Sequence, residues 1–286
     1  MLKIERDFAG SQIPGARPYQ EDAQGFASLK EDAEGDVESL LTVLADGMGG
    51  ENAGDFASKS VVQTFVDYCH HFESKADVLA GEDMPKMLLS AMAAANEGLA
   101  DAMEKDPGLE GMGCTLLATV ILDNSLYWLS VGDSPLYLYR DHQFVQINED
   151  HSMMPVLQQL VEEGKIQAHE LASHPDRNVL RAAMTGGEIE LVDCPTAGFP
   201  LKPGDILIVA SDGLQTLDED CILSKLDRHS TLTADAITRK LLTAVKRAEK
   251  PRQDNASINV IRIPDPENDE PFCEEDMGKT RLLRRS

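Results

Sequence analysis

Apolar positions along this chain switch between two spacings, one suited to strands and the other to helices packed on them. Residues 39–45 form a short apolar run that reads as a buried strand and stops at the turn-forming cluster Asp46-Gly47-Met48-Gly49-Gly50. From 56 to 69, Ala57, Val61 and Phe65, then Val62, Val66 and Cys69, recur at helical spacing. Asp83 and Pro85 mark the opening of a second helix, as N-caps and first-turn prolines do. Its apolar stripe is Leu88, Met92, Ala95, Leu99 and Ala102, which reads as core packing. A meander follows. Residues 114–122 are apolar and β-rich, Asp123-Asn124-Ser125 is a turn, and 126–131 is a strand ending at Gly132-Asp133. Residues 136–139 and 144–147 predict a hairpin around Asp141-His142-Gln143. A helical insertion with loose polar ends is expected over 154–176. Residues 205–211 then form a strand, Thr233 caps a helix with the stripe Ile237, Leu241, Ala244, Val245 and Ala248, and 257–263 is the last strand. Hairpin connections favour antiparallel pairing, and two long helices flank the strands, so a layered α+β sandwich is expected.

Composition narrows the class. The chain has 286 residues, 42% of them hydrophobic, enough for a sizeable core. No internal repeat is visible. Residues 1–264 read as one domain and 265–286 as a flexible C-terminal tail, acidic first and then basic from Lys279 to Arg285. That basic end could serve as a docking peptide or as a pseudosubstrate bearing Thr280, although its composition alone asks for no more than a tail. A formal net charge of −24 repels nucleic acid and anionic lipid at long range, so neither nucleic acid nor membrane is expected as a partner. No run is long and apolar enough to cross a bilayer, and the first residues lack the apolar core of a signal peptide. A cytoplasmic protein is expected. Five dispersed cysteines without a CxxC pair fit reduced thiols and exclude a zinc knuckle. Cys69-His70-His71 reads as the end of a helix with Cys69 on its buried face.

The positions of the aspartates add chemistry to this outline. Asp46, Asp133 and Asp212 each end a strand, and Asp254 precedes the last one. Carboxylates held at rigid strand ends and brought to one point repel each other unless a cation neutralises them. All-oxygen donors suit Mg²⁺ or Mn²⁺ rather than zinc or copper. Gly47 and Gly213 follow two of these aspartates and would let the backbone turn sharply and approach an ion. Each Asp-Gly alone is an ordinary turn.

The words around them, taken in order, say more. They are Arg17-Pro18-Tyr19-Gln20-Glu21-Asp22, Val43-Leu44-Ala45-Asp46-Gly47-Met48-Gly49-Gly50, Gly113-Cys114-Thr115, Gly132-Asp133-Ser134, Glu149-Asp150-His151-Ser152, Ala210-Ser211-Asp212-Gly213-Leu214 and Asp254-Asn255-Ala256-Ser257. In this order they resemble the protein phosphatase 2C family of metal-dependent Ser/Thr phosphatases, over nearly all of residues 15–263. The resemblance implies a four-layer α-β-β-α sandwich with a metal site at one end of two mostly antiparallel sheets. It implies two Mg²⁺ or Mn²⁺ ions. Asp46 would bridge both, the Gly47 carbonyl would bind the second, and Asp212 and Asp254 would hold the first. Either Glu21 or Asp22 would contact the second ion or its waters. Asp133 with Asp212 would form a weaker third site, and Arg17 would clamp the substrate phosphate, which its planar fork suits. A metal-bridging hydroxide would attack phosphorus, so no protein nucleophile is needed. None of the cysteines is followed six residues later by Arg, which excludes a thiol mechanism. The implied partners are a phosphorylated protein substrate and a cognate Ser/Thr kinase.

Some positions depart from the family pattern. Pro135 stands where the family usually has Arg, stiffening the strand start. Gln20 replaces the Asn common in bacterial-type members, and Met48 replaces the His of animal members, which favours the bacterial type. His151 could protonate the leaving group, but a histidine bonded to a turn is the simpler reading. Residues 153–176 fall where the family has its flap. Two other readings are a phosphatase-fold module that binds a phosphoprotein without turnover, and a two-metal hydrolase of small phosphate esters.

Overall fold

A strand that is apolar on both faces needs cover on both. The computed structural model, which describes residues 2–31, 37–49, 53–73, 80–171 and 173–265, supplies it with a second sheet on one side and helices on the other. The chain runs through α1 (Ile4–Asp7), β1 (Phe8–Ile13), β2 (Ala23–Glu31), β3 (Val37–Ala45), β4 (Gly47–Met48), α2 (Ala53–Glu73) and α3 (Met84–Lys105). It continues with β5 (Gly113–Cys114), β6 (Leu116–Leu122), β7 (Ser125–Val131), β8 (Leu136–Arg140), β9 (Gln143–Gln146), α4 (Met154–Glu162) and α5 (Ala168–Leu171). Last come β10 (Phe199–Pro200), β11 (Ile206–Ala210), α6 (Glu219–His229), α7 (Ala234–Arg247) and β12 (Ala256–Arg262).

Two five-stranded sheets, ordered β1-β12-β11-β8-β9 and β10-β7-β6-β3-β2, have every pairing antiparallel, and β4-β5 makes a small separate ribbon. The period of two sorts the core into layers. Leu40 and Leu44 of β3 and Leu117 and Ile121 of β6 meet Leu138, Leu207 and Val209 of the other sheet. The alternate residues Leu41, Val43, Leu116 and Val120 pack with Phe65 of α2 and Leu88 of α3. Ile208, Ile258 and Val260 do the same with Ile237, Leu241 and Val245 of α7. The result is the expected α-β-β-α sandwich. Because both faces of β3 are covered, its stretch from Leu40 to Ala45 is apolar apart from Thr42. Thr42 pairs its hydroxyl with that of Thr119 across the ladder at 2.7 Å, so neither of these two buried hydroxyls goes unbonded. Leu40 is fully buried in the middle layer, and truncating it to Ala would cost about 2–5 kcal/mol.

Local signals held in most places. Asp123 and Asn124, then Asp141 and His142, take positive φ and close two-residue hairpins. The Thr233 hydroxyl accepts from the Ala236 amide and caps α7. Cys69 is fully buried in α2. Asp83 behaves differently from expectation. A short 3₁₀ turn, Gly81–Asp83, leads straight into α3, so Asp83 already has helical backbone angles and its side chain caps nothing. The sequence pattern does not predict β1 and β2, one edge strand of each sheet, or helix α6, since their outward positions carry residues common in loops. Among the described residues no helix is long and apolar enough to cross a membrane. Residues 266–286, with Thr280, lie outside the described residues.

Candidate metal centre

Asp46 leaves the end of β3 and is gripped at once. Its amide donates to Thr115 Oγ1 at 2.9 Å, and its carbonyl accepts from the Thr115 amide at 2.9 Å. Thr115 Oγ1 in turn pairs with Ser134 Oγ at 2.8 Å, tying the Asp46 turn to the loop that carries Asp133. The β4-β5 ribbon pairs Gly47 with Cys114 and holds the turn from its other side. Gly47 does not need a left-handed backbone, contrary to the sharp-turn argument. It is needed because a Cβ there would overlap the carbonyl oxygens of Gly54 and Glu21. Gly213 has the same reason: a Cβ would strike the carbonyl of Asn255.

Asp212 follows β11 and opens a 3₁₀ turn, Asp212–Thr216, while Asp254 stands two residues before β12. Between them Asn255 organises the loop that carries Arg17 and Glu21. Its Oδ1 accepts from the Glu21 amide at 2.7 Å, and its Nδ2 donates to the carbonyls of Pro14 and Tyr19, both at 3.0 Å. Asp22 is 1% exposed, and its Oδ2 accepts from Ser211 Oγ at 2.8 Å and Ser257 Oγ at 2.7 Å. Gln20 Nε2 reaches Ser257 Oγ at 3.3 Å. Ser211, Ser257, Asn255 and Thr115 lie inside the words quoted from the sequence, yet nothing in one sequence showed which side chains they hold.

A cleft of about 780 Å³ gathers these loops. Arg17, Glu21, Asp46, Gly47, Asp133, Asp212 and Asp254 all line it. Asp22 instead sits behind the wall, and the two adjacent acids thus take different places. The opposite wall is formed by the chain that returns from α5, including Asn178, Leu180, Arg181 and Thr185. Bridges between Ser152 and Leu180 and between Cys114 and Met184 pin that segment across the strand ends. Sequence periodicity could not reveal it, because it is irregular chain.

The electrostatics follow from packing acids together out of water. Burial, then the charges of Asp22, Asp212, Asp133 and Asp254, push Asp46 well above the ordinary carboxylate range. Burial followed by Asp133 and Asp254 raises Asp212 to about 7. Burial followed by Asp150 raises Asp133 to about 6. Burial also raises Glu21, and raises Asp22 against the lowering effect of its serine donors. Glu21 Oε1, Asp22 Oδ1 and Asp212 Oδ1 are buried without a hydrogen-bond partner. Oxygens of this kind, orphaned and mutually repelling, are donors for hard cations. Among the described residues no three His, Cys, Asp or Glu side chains form a ready-made cage around one point. The carboxylates are spread round the cleft instead, which suits cations that keep part of their water shell.

Arg17 donates to Asp254 Oδ2 at 2.6 Å, at the mouth of the cleft. His151 is 2% exposed, and its Nδ1 accepts from the Gly132 amide at 3.2 Å. It braces the turn before Asp133, as the simpler reading held, and burial lowers its proton affinity. Pro135 is buried just before β8, and its carbonyl accepts from the Ala210 amide at 3.1 Å. A proline is tolerated there because it lies ahead of the ladder.

Residues 26–254 match the model of the family described as protein phosphatase 2C. The chain belongs to the protein phosphatase 2C family. It is 38% identical over 188 residues to the serine/threonine protein phosphatase PstP of Mycobacterium tuberculosis, an alignment covering 65% of this chain and 34% of that one. The chain thus spans about a third of the length of the mycobacterial relative. It is 32% identical over 178 residues to the serine/threonine phosphatase stp of Listeria monocytogenes, covering 62% of this chain and 67% of the relative. A crystal structure of the M. tuberculosis serine/threonine phosphatase PstP/Ppp superposes with a TM-score of 0.72 at 31% identity, over 90% of this chain and 98% of that one. The structure of a PstP catalytic domain in complex with two manganese ions superposes with a TM-score of 0.70 at 30% identity, over 90% and 98%. The protein phosphatase 2C fold therefore extends over the whole sandwich, including the cleft.

Proposed function

We propose that this chain hydrolyses phosphoserine and phosphothreonine on proteins, in the cytoplasm, reversing a Ser/Thr kinase. The observation that carries the reading is the arrival of Asp46, Asp133, Asp212 and Asp254, from four separate turns, in one cleft beside Arg17. Family membership supports it, as does the two-manganese complex of a relative. In this reading Asp46 and the Gly47 carbonyl, with Asp212 and Asp254, hold two Mg²⁺ or Mn²⁺ ions. Glu21, which lines the cleft, takes the contact that sequence left open between it and Asp22. Asp22 positions Asp46 from behind. Asp133 with Asp212 offers a weaker third site.

Such ions supply positive charge to a transferring phosphoryl group and lower the pKa of bound water toward neutrality. The chain's own residues do the rest. Thr115 fixes the Asp46 backbone, Asn255 fixes the Arg17 loop, and the Arg17 guanidinium orients the phosphoryl oxygens through two-pronged donation. The segment after α5, from Asn178 to Glu190, lines the cleft and narrows access to it. Thiol chemistry has no support, since burial pushes Cys69 up to about 12 and raises Cys114 as well.

The test is hydrolysis of a phosphothreonine peptide and of p-nitrophenyl phosphate with Mn²⁺, with chelator, and by Asp212→Asn. Turnover should need the metal and be lost in the variant, whose fold is checked by near-ultraviolet circular dichroism. Full activity in chelator, or in folded Asp212→Asn, would overturn the mechanism. Tight phosphopeptide binding with no turnover under any metal would make the chain a binding module. Small esters hydrolysed far better than the peptide would point to a small-molecule phosphatase.

A further inference from the structure

The chain carries a formal charge of −24, yet one groove of about 610 Å³ between α6 and α7 is lined by Lys225, His229, Arg239, Lys240 and Arg247. Lys225 and His229 are one helical turn apart on α6, and Lys240 and Arg247 lie on one side of α7. Between them the floor is apolar, made by Leu217, Ala244 and Ala248. Arg239 is paired with Asp235. Among the described residues Lys225, Lys240 and Arg247 have no acidic partner. The crowding is felt by His229, whose proton affinity is lowered by partial burial and then by Lys240, Arg228 and Lys225.

Cations gathered on an acidic protein call for an anionic occupant. We propose that the groove between α6 and α7 is the docking site for this chain's own acidic segment, residues 267–276. Three observations select that occupant. First, β12 ends beside the groove: Arg262 Nε donates to the Ser230 carbonyl at 3.3 Å, and Ser230 directly follows His229. Second, the segment matches the groove in pattern as well as sign. Glu267, Asp269 and Glu270 precede Pro271-Phe272-Cys273, and Glu274, Glu275 and Asp276 follow, with no Lys or Arg before Lys279. An aromatic ring between two acidic clusters is the complement of an apolar floor between cations. Third, the reach is sufficient. From His229 to Cys221 the groove follows α6 for about 12 Å at the helical rise, and Leu217 lies two residues ahead of that helix. Ten extended residues span up to about 33 Å.

Each exposed ion pair of this kind is weak and screened by salt. Tethering compensates, because the segment is held close to the groove at high effective concentration. Leu217 also closes the turn that begins at Asp212, so the groove floor adjoins the metal-centre backbone.

The experiment is chymotryptic cleavage after Phe272 in the full chain, read by intact mass. At about 50 mM salt Phe272 should be protected, and cleavage should accelerate about fivefold or more at about 500 mM. The variant Lys225→Glu/Lys240→Glu/Arg247→Glu should lose protection at low salt while keeping its melting temperature. Adding Glu267→Lys/Asp269→Lys/Glu270→Lys to that variant should restore it. A free peptide of residues 266–278 corrects for the effect of salt on the protease. Equal rates in every form would overturn the proposal. Protection that grows with protein concentration would overturn it as well, by assigning the groove to a second copy.

Discussion

Arg17 and Asp254 are joined by a 2.6 Å ion pair, so the residue suited to gripping phosphate and one suited to holding a cation are set side by side. Their side chains are 48% and 40% exposed, and so exposed a pair adds little to stability. Its effect is to place the guanidinium. Arg17→Ala should therefore lower kcat/KM for a phosphopeptide by about 10–100-fold, the range expected for one charged hydrogen-bond donor. The loss should fall mainly on KM, with Arg17→Lys recovering part of it and the melting temperature nearly unchanged. Steady-state kinetics beside a thermal melt decide it; unaltered kinetics would remove Arg17 from the phosphate site.

Ser211 and Ser257 both donate to the same buried oxygen of Asp22. Removing either donor leaves a buried carboxylate less well solvated. Ser211→Ala should destabilise the protein by about 1–3 kcal/mol in urea unfolding. A variant as stable as the parent would mean that Asp22 is protonated or solvated in another way.

Asp212 at about 7 and Asp133 at about 6 stand above the value near 4 that an Asp takes in an unfolded chain. Between those limits the folded, metal-free protein binds more protons than the unfolded one. Its stability therefore falls as pH rises from about 4 through about 7. A divalent cation binds the deprotonated acids of the folded state and opposes this loss. At a free concentration 100 times Kd it adds about 2.7 kcal/mol. Melting temperatures with chelator and with Mn²⁺ should separate more at about pH 7.5 than at about pH 5. A gap that shrinks as pH rises would contradict the assignment of these acids to the centre.

Pro135 is buried just before β8, in the place where the family resemblance would put an Arg. Pro135→Arg would bury a guanidinium without a designed partner, at a cost of several kcal/mol. A drop of several degrees in melting temperature is expected, with no gain in turnover. A variant that is both stable and more active would show that the cleft still has a place for the missing Arg.

Among the site residues, Asp46, Asp212 and Asp254 were the most legible. Each sits at a strand end inside a short word whose turn residues can be read locally. Glu21 and Asp22 were not separable, because neighbours in a loop point to different places only once Asn255 and the two serines have fixed that loop. The cleft wall around Asn178 and Arg181 left no local trace, since it is held by isolated bridges rather than by a repeating pattern. Edge strand β1 was missed for a related reason: its six residues mix Gly, Ser and Gln with apolar ends, and only pairing with β12 makes them a strand.

By itself the sequence determined the layers and the chemistry on offer. A period of two in the strands and of 3.6 in the helices decides which faces must be buried, and the carboxylates at the turns supply hard oxygen donors. Tertiary structure alone decided which acid faces the cleft, which hydroxyls restrain it and what closes the opposite wall. Those outcomes depend on contacts between residues far apart in the chain, such as Asp22 with Ser257 and Glu21 with Asn255, and local periodicity carries no record of such contacts.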